Sequence, residues 1–311
     1  MTKVEDFEQV RPMLQSIAYR ILGSVTEAED AVQETWLRYE ASPAEPASPK
    51  AYLSAVVTRI SINVLRSARV RREDYVGPWF PEPLLDDQYQ DPARSAELAD
   101  SVSMAALVLL ERLTPLERAA FVLHDVFGFG YGDVAAAVER SEAACRQHVA
   151  RARRHMQAGR PRFRVDRRER AELADRFFDA FRDGDVERLR TLLAEDVAVV
   201  GDSGGKAPRW GSGIFGVDNV ARLLTALVVP FLRIGGVVEP HQVNGQPGAI
   251  FWDHSGRIIN TWALDIVEGR IQTIHAVTNP DKLAHIAPVA DGWAVVHDTI
   301  QARSNADTTK E

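Results

Sequence analysis

The residues best equipped for chemistry in this chain are arginines. Residues 145–168, CRQHVARARRHMQAGRPRFRVDRR, hold nine arginines against one acid, Asp166. Between Arg59 and Arg72 there are five arginines and no acid. Guanidinium groups at that density bind phosphate, through charge and through a planar fork of N–H donors that matches phosphate oxygens two at a time. Their spacing adds base recognition. Arg59, Asn63 and Arg66 fall at i, i+4 and i+7, one face of a helix, and Asn63 carries the amide that pairs with an adenine edge. Arg146, Gln147, His148 and Arg151 lie on or beside the outer face of another helix, placed to meet base edges and phosphates in a major groove.

Proton transfer is the second chemistry to weigh. Asp202, Asp253, His254 and His275 are its candidates, with Trp210, Trp252 and Trp262 as apolar walls. Such work needs a carboxylate or imidazole whose pKa an apolar pocket has shifted. The plainer reading makes the aromatics core and the histidines surface or satisfied groups. Cys145 is the only cysteine, so an intrachain disulfide and a Cys-rich zinc site are excluded. It reads as a core residue of its helix rather than a redox sensor. The eight histidines lack H-E-x-x-H spacing. No metal and no cofactor is implied.

The elements that must position these groups follow from pattern. At 311 residues the chain is long enough for two or three cores, and its composition, 45% hydrophobic and 26% charged, is that of a globular protein. Its net charge of −7 argues against coating nucleic acid indiscriminately while leaving room for local basic faces. MTKVEDFEQV lacks the apolar stretch of a signal peptide, and LLTALVVPFL at 223–232 is too short to span a bilayer. A cytosolic protein is expected.

Residues 5–75 read as helical, with Thr26–Glu29 as a capping box and Val32, Trp36 and Tyr39 as a buried stripe. Asp30, Gln33 and Glu34 fall off that stripe. Ser48 and Pro49 suit the cap and first residue of the next helix. VGPWFPEPLLDDQYQDPARSA, 76–96, has too much proline for a helix and too much apolar surface for a solvated tether. One helix is expected over Ser101–Leu113, another after Thr114-Pro115, then a short helix, a tight break, and a last one capped by Ser141. In that last helix Cys145, Val149, Ala152 and Met156 face inward, so the pair suits a helix-turn-helix. Beyond the basic connector, two amphipathic helices precede a meander of antiparallel strands (VAVV, GGVVEPHQV, GAIFWD, RIINTWALDIV, RIQTIHAVT) separated by hairpin turns. RSNADTTKE reads as a polar, frayed end.

TEAEDAVQETWLRYEA, PKAYLSAVVTRISINVLRSARVRR and LTPLERAAFVLHDVFGFGYGDVAAAVERSEAACRQHVARARR, in that order within residues 7–157, resemble an extracytoplasmic-function sigma factor. GPWFPEPLL, GDSGGK (201–206) and NPDKL (279–283) resemble the signatures of a subgroup with a fused C-terminal SnoaL-like domain. The resemblance implies two all-α sigma domains followed by an α+β SnoaL/NTF2-like domain. The division is region 2 over 1–75, a linker over 76–96, and region 4 over 97–160. A basic connector over 161–170, a regulatory domain over 171–288 and a tail over 289–311 follow. It implies core RNA polymerase and promoter DNA as partners, no membrane, and room for a small-molecule ligand in the last domain. Carried over by position, Asp30, Gln33 and Glu34 are the polymerase-binding face. Arg59, Asn63 and Arg66 are the −10 reader, and Arg146, Gln147, His148 and Arg151 the −35 reader. Trp79, Phe80, Pro81, Glu82 and Pro83 of the linker pair with two further sets in a regulatory contact: Asp202, Gly204, Gly205 and Lys206, then Asn279, Pro280, Asp281, Lys282 and Leu283. Glu139 stands where the family often has glycine, and Ala144 and His148 replace the common Thr and Arg, so the −35 preference is not carried over.

The implied function is promoter selection for RNA polymerase, regulated in cis and without catalysis. Two rivals stay open: a ligand-sensing helix-turn-helix regulator that binds duplex DNA unaided, and a SnoaL-like cyclase or isomerase. GDSGGK lacks the G-x-x-x-x-G-K-[ST] spacing of a phosphate loop and reads as a turn.

Overall fold

The computed structural model describes residues 2–43, 46–72, 75–85, 101–157, 166–208 and 213–308. Its contacts divide the chain into two units: Met1–Asp74 with Asp87–Arg160, and Tyr75–Asp86 with Pro161–Glu311. The linker read at 76–96 is thus divided, its first part packing with the C-terminal unit. Residues 86–100 lie outside the described residues, as do 161–165 of the basic connector.

The first unit begins with α1 (Lys3–Leu22), α2 (Val25–Ala41) and α3 (Pro49–Arg72). A Thr2–Glu5 capping box starts α1, and Gly23, left-handed at φ 70°, ends it. The cap of α2 is Ser24, whose side chain accepts the Glu27 N–H at 3.1 Å, so the helix starts before the expected Thr26. The Gly23 turn sets that start, because it leaves Ser24 extended with its hydroxyl at the new helix's first turn. Ser48 caps α3 as expected, accepting from Ala51 at 3.3 Å. Leu14, Ile17, Ile21, Leu53, Val57 and Leu65 are buried between these helices, and Trp36 packs on Phe7 with ring centroids 5.0 Å apart.

The second half of this unit holds α4 (Met104–Leu110), α5 (Pro115–Phe121), a π-helical turn (Val122–Val126), α6 (Tyr131–Val138) and α7 (Glu142–Gln157). The single helix expected over Ser101–Leu113 is shorter, because Ser103 caps at Ala106 and restarts the helix there. Thr114 and Glu117 form the expected capping box of α5. Two buried arginines fasten this half to α1. Arg118 Nε donates to the Arg20 carbonyl at 2.8 Å and its guanidinium pairs with Glu111, while Arg20 Nε donates to Ser101 Oγ at 2.9 Å.

The second unit is a six-stranded sheet with helices on one face. α8 (Arg167–Asp183) and α9 (Val186–Leu192) precede β1 (Leu193–Asp202) and β2 (Ile214–Phe215); α10 (Val217–Arg233) follows. Then come β3 (Val237–Val243), β4 (Gln246–Trp252), β5 (Ile258–Val267), β6 (Arg270–Val277), α11 (Pro280–Leu283) and α12 (Gly292–Thr308). The strand order is β2-β1-β6-β5-β4-β3. The hairpins at Asn244-Gly245, 253–257 and Glu268-Gly269 are those the turn residues predict. The purely antiparallel meander is corrected in one place. β1 pairs parallel with β6, since α10 and four strands intervene before the chain returns beside it. Phe177, Phe181, Leu224, Phe251, Trp262 and Leu264 build the core between the helices and the sheet. Most of the expected tail is α12, half-buried at Val295 and buried at Thr299.

Candidate functional site

Two groups of side chains stand out, one in each unit. In the first, the expected faces exist. Asp30 and Gln33 are exposed on α2, and the half-buried Glu34 pairs with Arg38 at 2.7 Å. Asn63 and Arg66 are exposed on α3, one and two turns beyond the half-buried Arg59. α6 and α7 are joined through Glu139, left-handed at φ 55°. That backbone explains why glycine suits the position: a β-carbon there costs about 1 kcal/mol. Ser141 then caps α7, accepting from Ala144 at 3.2 Å. Cys145, Val149, Ala152 and Met156 turn inward, which leaves Arg146, Gln147 and Arg151 exposed and His148 half-buried.

Several of these groups are already engaged. Arg59 reaches Glu139 at 3.3 Å. Arg146 pairs with Glu142 at 2.8 Å and lies 4.8 Å from the Tyr131 ring centroid. Arg151 pairs with Glu117 at 2.9 Å and approaches His148 Nδ1 at 3.2 Å. Burial, and then the Arg151 charge, hold the His148 imidazole below its usual pKa. Burial likewise raises the Cys145 thiol, with Glu142 adding to it, and the side chain is wholly enclosed.

In the second unit the linker and the two glycine- and proline-marked loops meet around one carboxylate. Asp202 ends β1 and is fully buried. Its Oδ2 accepts the Phe80 N–H at 2.8 Å and the Lys282 ammonium at 2.6 Å. Its Oδ1 accepts the Gly204 N–H at 3.0 Å and the Tyr75 hydroxyl. Lys282 also donates to the Phe80 carbonyl, so both backbone polar groups of one linker residue are bound by a buried ion pair. The Lys282 ammonium lies 4.0 Å from the Trp79 ring centroid and 5.0 Å from that of Tyr75, a cation between two aromatic faces. Tyr75 is driven well above the usual phenol range, by burial first and by Asp202 second, and stays a donor.

Close packing explains the glycines. A β-carbon on Gly204, at φ 56°, would stand 2.5 Å from Asn279 Nδ2, which donates to the Tyr75 hydroxyl at 2.8 Å. On Gly205, at φ 74°, it would meet Val76 at 3.3 Å. Asn279 also caps α11, accepting from Asp281 at 3.1 Å, and Pro280 is the first residue of that turn. Leu283 is core. Lys206 and Asp281 form an exposed pair outside the buried group. Pro81 and Pro83 are buried, Glu82 is half-buried, and the Pro83 carbonyl meets His285 Nε2 at 2.9 Å. The linker is fastened again where Leu84 and Asn244 exchange bonds, Leu84 N–H to Asn244 Oδ1 at 3.2 Å and Asn244 N–H to the Leu84 carbonyl at 2.7 Å. Tyr75, Asn244 and His285 were not singled out from sequence. Asn244-Gly245 signals its hairpin, but nothing local signals the linker.

The proton-transfer candidates do not converge. Asp202 is consumed by the contacts above. Asp253 lies below the usual carboxylate range: burial opposes this, but the Arg257 and Ser255 N–H groups and the Arg257 guanidinium outweigh it. His254 is exposed. Trp252 donates to Glu239 at 2.6 Å, Trp262 packs in the core, and Trp210 lies outside the described residues. His275 lies beneath the linker, edge-on to Phe80 at 5.4 Å, with neither ring nitrogen bonded, and burial pushes its pKa down to about 4. Among the described residues no group of three or more His, Cys, Asp or Glu is gathered as for a metal, and no helix is long and apolar enough to cross a membrane.

These features have counterparts in known proteins. Residues 7–71 match the family Sigma-70 region 2, and residues 103–156 match Sigma-70, region 4. The ECF RNA polymerase sigma factor SigJ of Mycobacterium tuberculosis is 37% identical over 290 residues, 90% of this chain and 93% of that protein. The probable ECF RNA polymerase sigma factor SigI of the same species is 30% identical over 276 residues, 88% of this chain and 92% of that one. The crystal structure of SigJ superposes with a TM-score of 0.72 at 33% identity, over 92% of this chain and 100% of that chain. With identity at this level over nine-tenths of its length, the chain belongs to the extracytoplasmic-function RNA polymerase sigma factors.

Proposed function

We propose that this protein brings bacterial RNA polymerase to promoters and that its C-terminal unit regulates it in cis by holding the linker. In this reading residues 1–75 act as region 2, with Asp30, Gln33 and Glu34 on the polymerase and Arg59, Asn63 and Arg66 at the −10 element. Residues 97–160 act as region 4, laying Arg146, Gln147, His148 and Arg151 in the −35 major groove. Phosphate contacts supply affinity and a few base contacts supply choice. The protein contributes recognition and no catalytic step, and it works in the cytoplasm with the polymerase.

One observation carries the regulatory part: the Asp202–Lys282 pair binds both the N–H and the carbonyl of Phe80. The linker joins the two helical halves in sequence, so whatever holds it limits how far they separate. A clamp of this kind biases the protein between closed and promoter-competent forms. Arg59, tied to Glu139 of the other helical half, belongs to the closed form and exchanges that carboxylate for DNA phosphate on opening, whereas Arg151, tied to Glu117 within its own half, exchanges its carboxylate when DNA binds.

Run-off transcription with purified core polymerase tests the assignment. Promoter-specific transcripts are expected with the full chain, and the Asn63→Ala and Arg151→Ala variants are expected to lose them while still binding the polymerase. Equal transcript yield from all three proteins would remove these residues from promoter reading.

A further inference from the structure

Within the first unit, α3 and the α5–α6 segment enclose a cleft of about 510 Å³. Four arginines line it, Arg38, Arg59, Arg66 and Arg140, against one acid, Glu139. Arg38 is neutralised by Glu34 at 2.7 Å, and Arg59 shares Glu139 at 3.3 Å. Arg66 has no ion-pair partner among the described residues, and Arg140 donates to the Glu139 carbonyl at 2.8 Å, which leaves its charge uncancelled. Cations held together in a concave, half-enclosed space repel one another, and an anion that bridges them removes the repulsion. The rest of the lining is not that of a plain ion site. Tyr52 presents a half-buried ring and Asn63 an exposed amide. An aromatic face and an amide beside guanidinium groups match a base joined to phosphates. The volume lies in the range of ligand pockets, roughly 300–1,000 Å³.

We propose that this cleft binds a free nucleoside polyphosphate, its phosphates on Arg59, Arg66 and Arg140 and its base against Tyr52 and Asn63. Bound there, the nucleotide bridges α3 to the turn before α7 and holds the two helical halves closed. The proposal rests on the −10 assignment in one respect only. Since Arg59, Asn63 and Arg66 are also the promoter-reading face, nucleotide and promoter strand compete. A promoter phosphate and a nucleotide phosphate are the same chemistry to an arginine, and Arg140 separates them, because it joins the site only in the closed arrangement.

The test is isothermal titration of the full chain with ATP, with sodium triphosphate and adenosine as separate arms. ATP is expected to bind one to one below about 1 mM, triphosphate more weakly, and adenosine not at all. The exposed substitutions Arg140→Ala and Arg66→Ala are each expected to lower ATP affinity at least about tenfold, the worth of one charge-assisted contact. A single-stranded −10 oligonucleotide, followed by anisotropy in parallel, is expected to be displaced by ATP and to bind Arg140→Ala as it binds the parent. No saturable ATP binding, ATP binding unchanged by Arg140→Ala, or triphosphate binding as tightly as ATP would each overturn the proposal. If the parent binds ATP through Arg140 but does not bind the oligonucleotide, the −10 assignment fails and the nucleotide site stands.

Discussion

Replacing Lys282 by methionine tests the clamp at its centre. The substitution keeps an unbranched apolar stem, one atom shorter, and removes a charge that is 8% exposed and lies 2.6 Å from the fully buried Asp202 carboxylate. Breaking one side of a buried pair costs about 3–5 kcal/mol, because the remaining charge is left without compensation. The cost falls on the docked form. Once the linker lifts, water reaches Asp202 and solvates it. About 3 kcal/mol therefore shifts docking toward release by roughly a hundredfold. Amide exchange reads this directly, since the Phe80 and Leu84 N–H groups are bonded across the contact and the intervening prolines keep the signal simple. Exchange at Phe80 is expected to accelerate by about two orders of magnitude, with thermal melting confirming a folded chain. Adding Asp202→Asn to Lys282→Met removes the orphaned charge and is expected to recover at least half of the protection. A folded Lys282→Met variant with unchanged exchange at both amides would refute the reasoning, because the linker would then be held by something else.

Three further outcomes follow from the same geometry. Glu139→Gly relieves a left-handed backbone and gives up an exposed ion pair, so a thermal melt is expected to show a gain of roughly 0.5–1 kcal/mol; a loss of stability would mean the Arg59 contact outweighs the strain. His275 is buried neutral with its pKa lowered to about 4, so the unfolded chain binds the extra proton between about pH 6.5 and 4. Stability is therefore full above about pH 6.5 and falls as the pH drops through that window, at most by about 1.4 kcal/mol per unit; denaturation midpoints of the parent are expected to fall more steeply there than those of His275→Leu. Gly204→Ala is expected to break the Asn279–Tyr75 bond and loosen the linker, read as faster exchange at Phe80, whereas Gly256→Ala, where a β-carbon meets nothing within 4 Å, is expected to leave it unchanged.

What was legible in the sequence was local. Ser48-Pro49, Thr114-Pro115 and the Cys145–Met156 stripe carry their signals within a few residues, and each element stands where those signals place it. The hairpin turns did the same for β3–β6. Three features were not legible because their causes are distant. β1 pairs parallel with β6 across an intervening helix and four strands, which no turn residue announces. α12 buries little beyond Thr299 and part of Val295, too narrow a stripe to separate from a polar tail. The clamp joins Phe80 to Lys282, 202 residues apart in the chain. Family likeness pointed to its three loops, yet a lysine after Asn-Pro-Asp reads as surface until the buried carboxylate beside it is seen. Glu139 shows the reverse case: its departure from glycine was plain in the sequence, and the structure supplies the strain and the Arg59 contact that give it meaning.

The most direct measurement is an anisotropy titration of the labelled full chain with purified bacterial core RNA polymerase, followed by promoter duplex in the presence and absence of that enzyme. Saturating one-to-one association is predicted, with sequence-specific promoter binding that appears only once the polymerase is present. Tight promoter binding by the chain alone, with no association with the polymerase, would contradict the account and favour a free-standing DNA-binding regulator.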